Sequence, residues 1–231
     1  EYVKGVERLC RKYGALLVFD EVVTGFRIGM AGAQGYFGVS PDLTIFGKVI
    51  AGGYPGAGGV GGKREYMKYL GAGLDSSGKK IHKAMTGGTM TANPLSCCAG
   101  YYTLEEIEKT NACQKAGQMG DRITQGLAEL VAKHGLPFVT WNTGSICHLE
   151  TVGTMHYQIE WAKLWEIPGV LSATGERQKE MEHMGAAYMA EGLVTLAGSR
   201  LYTSAAYTPK MIDTALEAFD RVFANVAVKA E

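Results

Sequence analysis

The chain has no excess of charge of either sign, because its 23 Lys and Arg residues equal its 23 Asp and Glu residues. No long run of one sign stands out either, so nothing indicates binding to nucleic acid or to an anionic membrane surface. Long apolar runs are also missing, and none approaches the roughly 20 residues needed to cross a bilayer. We therefore expect a soluble protein.

Metal-binding patterns are missing as well. The chain has five cysteines and five histidines, and they form neither CxxC spacing nor an HExxH motif. We therefore expect no metal site, and reduced, mostly buried thiols in a cytoplasmic protein. The cysteines are Cys10, Cys97, Cys98, Cys113 and Cys147.

The chain also begins without an initiator Met or a signal-like segment, and Glu1 leads directly into a helical pattern. Its 231 residues, of which 46% are hydrophobic and 20% charged, are enough to bury a sizeable core. We expect this sequence to be part of a longer protein.

Two short apolar runs each lead to one charged residue. Residues 15–19 precede Asp20, and residues 43–46 precede Gly47 and Lys48. The first run has almost no polar alternation, which predicts a central strand covered on both faces. A helix over residues 2–13 precedes it, and helix followed by buried strand indicates an α/β fold. In parallel α/β sheets ligands bind beyond the carboxyl ends of the strands, so Asp20 and Lys48 predict a site.

The character of the sequence changes near residue 110. This change predicts one domain over residues 1–110 and a second over residues 111–231. Pro94 is placed to begin a helix, and Thr208 to cap a final helix that begins at Pro209. Predicted helices cover 63–70, 94–109, 112–134 and 174–191; predicted strands cover 57–60, 138–141, 145–150, 193–196 and 201–204; residues 71–80 are predicted to form an exposed loop.

Each of these residues also has an ordinary structural explanation. Asp20 could cap the next turn, and Lys48 could be a solvated loop lysine. Together with the glycines around Lys48, they match what pyridoxal phosphate requires: a lysine for a Schiff base, an acid for its ring nitrogen, and backbone amides with hydroxyls for its phosphate. A carboxylate paired with the pyridinium stabilises that charge by about 4 kcal/mol at an effective dielectric near 20.

Three blocks of the sequence resemble the class III aminotransferases, most closely those related to glutamate-1-semialdehyde aminomutase. They are LLVFDEVVTGFR, GAQGYFGVSPDLTIFGKVIAGGYP and GGTMTANPLSCCAG, within residues 5–110. The resemblance implies a fold type I dimer, in which residues 1–110 belong to the large pyridoxal-phosphate domain and residues 111–231 to a connecting helix and a smaller α+β domain. It also implies active sites at the subunit interface, for a small amino donor and a keto or aldehyde acceptor.

The resemblance assigns roles to five residues. Lys48 would form the Schiff base, Asp20 would pair with the ring nitrogen, and Val22 would pack on one face of the ring. Thr89 and the Gly88 amide would contact the phosphate of the neighbouring subunit. The phosphate turn and the stacking aromatic of the family are not recognisable before Asp20, and SRLYTS has no counterpart of the aminomutase glutamate.

Several alternatives stay open. An aminomutase or an amino-acid racemase could use the same residues, and the chain could be a catalytically silent fragment or scaffold subunit. Gly73 to Lys79 nearly matches a phosphate-binding loop, but Lys80 stands where Ser or Thr should hold magnesium. Arg27 could bind a substrate carboxylate or tie its loop to the strand, and we expect Glu21 to be structural.

Overall fold

The computed structural model describes residues 1–71, 73–151 and 167–227. It divides into two compact units, Glu1–Cys113 and Gln114–Glu231. Their assignment to a large cofactor-binding domain and a small domain stays a prediction. Within the described ranges, no helix combines the length and the apolar character needed to span a membrane.

The N-terminal unit begins with the predicted helix α1, which ends at Gly14 in a left-handed conformation, as the sequence indicates. Strands β1 and β2 pair in parallel, and β2 pairs with β3 in antiparallel orientation, so the sheet order is β1-β2-β3. The elements are α1 (Tyr2–Tyr13), β1 (Val18–Asp20), α2 (Gly32–Phe37), β2 (Leu43–Phe46), a 3-10 helix (Lys48–Ala51), β3 (Gly59–Gly62), α3 (Arg64–Met67), a second 3-10 helix (Lys68–Leu70) and α4 (Pro94–Lys109).

The prediction for the first strand is wrong in two respects. It starts at Val18 instead of residue 15, because the Leu17 N–H donates to the Asp42 carboxylate (2.8 Å) and not to a neighbouring strand. It is also not covered on both faces. Val18 is 45% exposed, and among the described residues β1 pairs only with β2.

Two further strand predictions need correction. The strand expected at 57–60 lies at Gly59–Gly62, after the turn that Gly56 makes at φ 82°. The strand expected at 193–196 is wrong, since this segment forms only an isolated bridge between Leu196 and Arg200. Ala197 and Gly198, both with positive φ, turn the chain there and prevent an extended ladder.

The C-terminal unit contains a separate sheet of three antiparallel strands, in the order β4-β5-β6. Its core includes Leu127, Leu149, Tyr188, Phe219 and Phe223, each no more than 1% exposed. The elements are α5 (Ala112–Lys133), β4 (Val139–Thr143), β5 (Ile146–Glu150), α6 (Ile167–Ala190), β6 (Arg200–Tyr202) and α7 (Pro209–Ala227).

The predicted start of α4 and the predicted cap of α7 are present, and Asn93 caps α4 in addition. Asn93 accepts a hydrogen bond from the Ser96 N–H (3.0 Å) with Pro94 as the first helical residue of α4. Thr208 Oγ1 accepts from the Met211 N–H (3.3 Å) at the start of α7. Each side chain satisfies an N–H group that the helix itself leaves unpaired.

Candidate active site

Asp20 and Lys48 leave the sheet at the same edge. Asp20 is the last residue of β1 and is in register with Ile45 of the parallel strand β2. The Glu21 N–H continues this pairing by donating to the Ile45 carbonyl (2.9 Å). Two residues after β2 ends, Lys48 opens the 3-10 helix with φ 50°, a backbone conformation that few non-glycine residues adopt. The acid and the amine therefore lie beyond the carboxyl ends of neighbouring parallel strands.

The Asp20 carboxylate is exposed, and in the described part of the chain only one of its two oxygens accepts a hydrogen bond. Its Oδ1 accepts a hydrogen bond from the Val22 N–H (3.0 Å), which closes a short turn after β1. In the described part of the chain, Oδ2 has no hydrogen-bond partner. An acceptor atom in this position suits a ligand that presents an N–H group.

Val22 lies against the residue that precedes Lys48. A Cβ atom added to Gly47 would come within 3.2 Å of Val22 Cγ1, which is closer than most real contacts. Glycine at this position therefore lets the Val22 side chain pack directly on the backbone that leads into Lys48. The structure thus brings Asp20, Val22 and Lys48 into one local arrangement.

Glu21 is buried behind this arrangement and has a structural role, as the sequence suggests. It is 1% exposed, and its carboxylate accepts hydrogen bonds from the Ala33 N–H (2.8 Å) and the Gln34 N–H (3.0 Å). Thr24 Oγ1 also donates to it. A buried carboxylate with these donors ties the turn after β1 to the start of α2.

The 3-10 helix that begins with Lys48 packs on α4 through glycine. A Cβ atom on Gly100 would overlap the carbonyl oxygen of Ile50, and a Cβ atom on Gly52 would lie 2.5 Å from the carbonyl carbon of Ala99. Only glycine permits such a close approach of two backbones. Sequence reasoning missed Gly100, because its partner is 50 residues away in the chain.

Gly88 and Thr89 belong to the exposed segment that leads into α4, and this segment is fastened to the chain that follows Lys48. The Ala92 N–H donates to the Gly56 carbonyl (2.7 Å). Ser96 Oγ donates to the Pro55 carbonyl (2.6 Å), and Asn93 Nδ2 donates to the same oxygen (3.2 Å). A contact of Gly88 and Thr89 with a phosphate of a neighbouring subunit stays a prediction.

Asp42 is a second residue that the sequence pattern did not reveal. It is 1% exposed, and Arg11 Nη1 donates to both carboxylate oxygens (2.9 and 2.8 Å). Lys63 Nζ donates to Oδ1 (2.6 Å), and the Leu17 N–H donates to Oδ2. The hydrogen bonds from Lys63 and Leu17, followed by that from Arg11, hold the pKa of Asp42 far below its usual range.

The segment that resembles a phosphate-binding loop has a different geometry. The Asp75 carboxylate accepts hydrogen bonds from the N–H groups of Ser77 and Lys79 (both 2.9 Å), so these amides are not available to a phosphate. No strand leads into the loop and no helix follows it directly in the described chain. The nucleotide-binding alternative is therefore wrong.

No group of three or more His, Cys, Asp or Glu side chains able to hold a metal ion occurs in the part of the chain that the structure describes. The arrangement instead offers an exposed primary amine, a partly unsatisfied carboxylate and an apolar side chain at the edge of a parallel strand pair. An amine can condense with a carbonyl group, and a carboxylate can hold a protonated ring nitrogen. These residues fit pyridoxal phosphate.

Comparison with solved structures shows that the chain has the fold type I of pyridoxal-phosphate-dependent transferases. It is similar to an omega-transaminase from Sphaerobacter thermophilus, with a TM-score of 0.75 and 23% identity over 96% of this chain and 47% of that chain. It is also similar to the ornithine delta-aminotransferase of Plasmodium falciparum, with a TM-score of 0.72 and 22% identity over 99% of this chain and 52% of that chain. The predicted fold is therefore confirmed.

The family follows from the sequence comparison. Residues 1–213 match the model of the class III aminotransferases, and the chain belongs to this family of pyridoxal-phosphate-dependent enzymes. It is 42% identical to the glutamate-1-semialdehyde 2,1-aminomutase of Legionella pneumophila (strain Paris) over 146 residues, which are 63% of this chain and 32% of that protein. The chain thus spans about a third of the length of this relative.

Proposed function

We propose that this chain supplies the lysine and the ring-nitrogen partner of a pyridoxal-phosphate site, in an enzyme that transfers an amino group from an amino donor to a keto acid or aldehyde. The observation that carries the proposal is the shared exit of Asp20 and Lys48 from two parallel strands, with Val22 packed on Gly47, the residue before Lys48. The family assignment supports the same chemistry.

When bound, the cofactor supplies an aldehyde that takes up amines and a ring that withdraws electrons from the substrate. The Lys48 amine would hold the cofactor through this aldehyde. When not engaged with the cofactor, the same amine would remove and return the proton at the substrate α-carbon as a general base. Asp20 keeps the proton on the ring nitrogen, and Val22 covers one face of the ring.

A second copy of the chain supplies a further contact. In the proposed homodimer, Thr89 and the Gly88 amide contact the cofactor phosphate of the neighbouring subunit, and each active site lies at the subunit interface. The exposed position of both residues in the single chain is compatible with this role. All five cysteines are free thiols, which suits the cytoplasm as the proposed compartment.

Aminomutase activity is the second candidate, because the Legionella relative is a glutamate-1-semialdehyde 2,1-aminomutase. A mutase rearranges one substrate and needs no separate acceptor, whereas a transaminase needs both. The two candidates use the same lysine and the same acid. They are therefore separated by whether turnover requires a second substrate.

The proposal is tested with the full-length protein, loaded with pyridoxal phosphate and supplied with a panel of amino donors and keto acceptors. Lys48→Ala should lower turnover by at least about a hundredfold, because it removes the general base. Lys4→Ala, a change of an exposed lysine in α1, should leave turnover unchanged. Full turnover by Lys48→Ala would contradict the proposal, and an unchanged proton-transfer rate in Asp20→Asn would contradict the role of Asp20.

A further inference from the structure

The loop of residues 21–29, called the post-β1 loop here, follows Asp20 and contains an uncommon backbone conformation. Phe26 has φ 59°, a left-handed value that bulky residues seldom adopt. Such a conformation is strained and persists only where the surrounding structure enforces it. The contacts of Phe26 therefore indicate which parts of the fold the loop is held against.

Backbone hydrogen bonds close the post-β1 loop into a turn. The Gly25 N–H donates to the Glu21 carbonyl (2.9 Å). The N–H groups of Arg27 and Ile28 both donate to the Thr24 carbonyl (3.1 and 3.3 Å). The Glu21 carboxylate in turn fastens the start of the loop to α2. The loop therefore has a defined conformation that its own contacts set.

The ring of Phe26 joins the post-β1 loop to the end of β2. Its centroid lies 6.1 Å from that of Phe46, the last residue of β2, and the two ring planes are tilted by 40°. Tilted rings at this separation attract each other in addition to burying apolar area. The Phe46 ring also covers Gly25, since a Cβ atom added there would lie 3.6 Å from Cδ1 of that ring.

Two contacts of the post-β1 loop thus reach the two residues that precede Lys48. Val22 packs on Gly47, and Phe26 packs on Phe46. The loop begins directly after the aspartate at the end of β1. A displacement of the loop would therefore change the distance between that carboxylate and the lysine amine.

Cys113, in the first turn of α5, holds the backbone of Phe26. Its thiol donates to the Phe26 carbonyl, with Sγ 3.1 Å from the oxygen. Burial raises the pKa of this thiol, so it is protonated and able to donate at neutral pH. The two residues are 87 positions apart in the sequence. The strained backbone at the centre of the loop is therefore held by a distant segment of the chain.

We propose that Phe26, with its backbone held by Cys113, is a positioning residue for the cofactor site. It sets the distance between the Asp20 carboxylate and the Lys48 amine by holding the post-β1 loop against the end of β2. This inference rests on the proposed function, and both residues act through the loop. When the ring or the thiol is removed, the loop shifts and the carboxylate no longer meets the ring nitrogen of the cofactor.

The test compares two variants of the full-length protein with two matched controls. Phe26→Leu removes the ring contact, and Cys113→Ala removes the thiol donor. Phe37→Leu is the control for the ring, because Phe37 forms an aromatic pair with Tyr36 at 4.9 Å in α2. Cys10→Ala is the control for the thiol, because it removes another partly buried cysteine, in α1.

Equilibrium dialysis measures the Kd of pyridoxal phosphate, and circular dichroism in the visible band of the bound cofactor reports the orientation of its ring. We expect Phe26→Leu and Cys113→Ala to raise this Kd about three- to tenfold and to change the visible dichroism, because each loses one contact that holds the loop. The two controls should change the Kd by less than about twofold and leave the dichroism unchanged. A purely structural role would lower stability to urea without altering the dichroism of the bound cofactor.

A conservative variant tests the hydrogen bond itself. Cys113→Ser should keep the Kd and the dichroism of the wild type, since a hydroxyl group can donate to the same carbonyl. An effect of Cys113→Ser as large as that of Cys113→Ala would overturn the role of the hydrogen bond. Equal Kd values and equal dichroism in Phe26→Leu and Phe37→Leu would overturn the positioning role of Phe26.

Hydrogen–deuterium exchange without the cofactor separates failure of this inference from failure of the proposed function. The amide protons of Arg27 and Ile28 should exchange at least about threefold faster in Cys113→Ala than in the wild type, because the loop opens more often. Reductive labelling of wild-type Lys48 by pyridoxal phosphate, together with unchanged exchange and Kd in the variants, overturns this inference alone. Faster exchange in a protein that takes no label at Lys48 overturns the proposed function and supports the role of Cys113 in holding the loop.

Discussion

At the residue scale, Asp42 connects four parts of the N-terminal unit. Its carboxylate accepts hydrogen bonds from Arg11 of α1, from the backbone before β1 and from Lys63 after β3, and the residue itself precedes β2. The Asp42 side chain is 2% exposed, whereas those of Arg11 and Lys63 are 41% and 44% exposed. Solvent therefore weakens the ion pairs of the two cations, whereas the hydrogen bond from the Leu17 N–H to the carboxylate is buried.

We predict that Asp42→Asn lowers the free energy of unfolding by about 1–3 kcal/mol at pH 7, since charge-assisted hydrogen bonds are lost at a buried position. Urea denaturation measures this change. Glu7→Gln is the control, because Glu7 also pairs with Arg11, at 3.7 Å, but its side chain is 29% exposed. A loss as large in Glu7→Gln would contradict the role of Asp42.

The same carboxylate predicts a pH dependence. Its pKa is lower in the folded state than in the unfolded state, so its stabilisation is complete above the unfolded value near 4 and is lost as the pH falls below it. We expect the stability of the wild type to decline more steeply below pH 4 than that of Asp42→Asn. Parallel pH profiles for the two proteins would contradict the assignment.

At the scale of elements, the position of Lys48 depends on how closely its 3-10 helix approaches α4. Gly100 and Gly52 are the points of contact, and neither has room for a Cβ atom. The hydrogen bonds of Asn93 and Ser96 to the Pro55 carbonyl hold the start of α4 to the same stretch of chain. Helix α4 therefore supports the backbone that carries the proposed catalytic lysine.

We predict that Gly100→Ala destabilises the protein by about 1–3 kcal/mol, because the new methyl group forces two backbones apart. It should also lower the amount of pyridoxal phosphate bound per chain, which is read from absorbance after gel filtration. Gly5→Ala in α1 is the control. Its Cβ would meet only Arg8 Nη2 at 3.8 Å, so the change should be neutral or stabilising by up to about 1 kcal/mol. If Gly100→Ala kept the stability of the wild type and bound as much pyridoxal phosphate, the claim that α4 supports the backbone of Lys48 would be refuted.

The elements also show what the sequence could predict. Strand β2 and helix α4 have the predicted bounds, because a short apolar run and a proline at the first position of a helix are local signals. The start of β1 could not be predicted, since it depends on a hydrogen bond from Leu17 to Asp42, 25 residues away. The predicted strand at 193–196 failed because a non-glycine residue, Ala197, adopts positive φ in the turn.

The candidate site also has one part that could be predicted from the sequence and one part that could not. Asp20 and Lys48 could be singled out because each follows an apolar run, and the structure places them at one sheet edge. The contacts that position them, from Glu21 to α2 and from Gly100 to Ile50, arise only when distant segments pack together. No local pattern encodes such contacts.

At the scale of the whole molecule, zero net charge coincides with an exposed apolar sheet face. The register places Ile45 beside Val60, and Val18 lies on the same face two residues before Asp20. The exposed fractions of Val18, Ile45 and Val60 are 45%, 37% and 46%. A chain with an isoelectric point near 7.2 has little charge repulsion at neutral pH to oppose association through this face.

We predict that static light scattering of the 231-residue chain is greatest near pH 7 and falls at pH 5 and at pH 9. Val60→Lys should reduce the scattering at pH 7 more than Val194→Lys, although both add one positive charge. Val194 is 84% exposed in the other unit and serves as the control. Equal scattering of the two variants would show that the sheet face does not drive association.

The central claim is that Lys48 is the lysine that binds pyridoxal phosphate. The most direct measurement is to incubate the full-length protein with pyridoxal phosphate, reduce it with borohydride, and locate the added mass by peptide mass spectrometry. We predict the label on Lys48, with none there in the Lys48→Ala variant. Specific labelling of a different lysine, or no labelling of the wild type, would contradict the account.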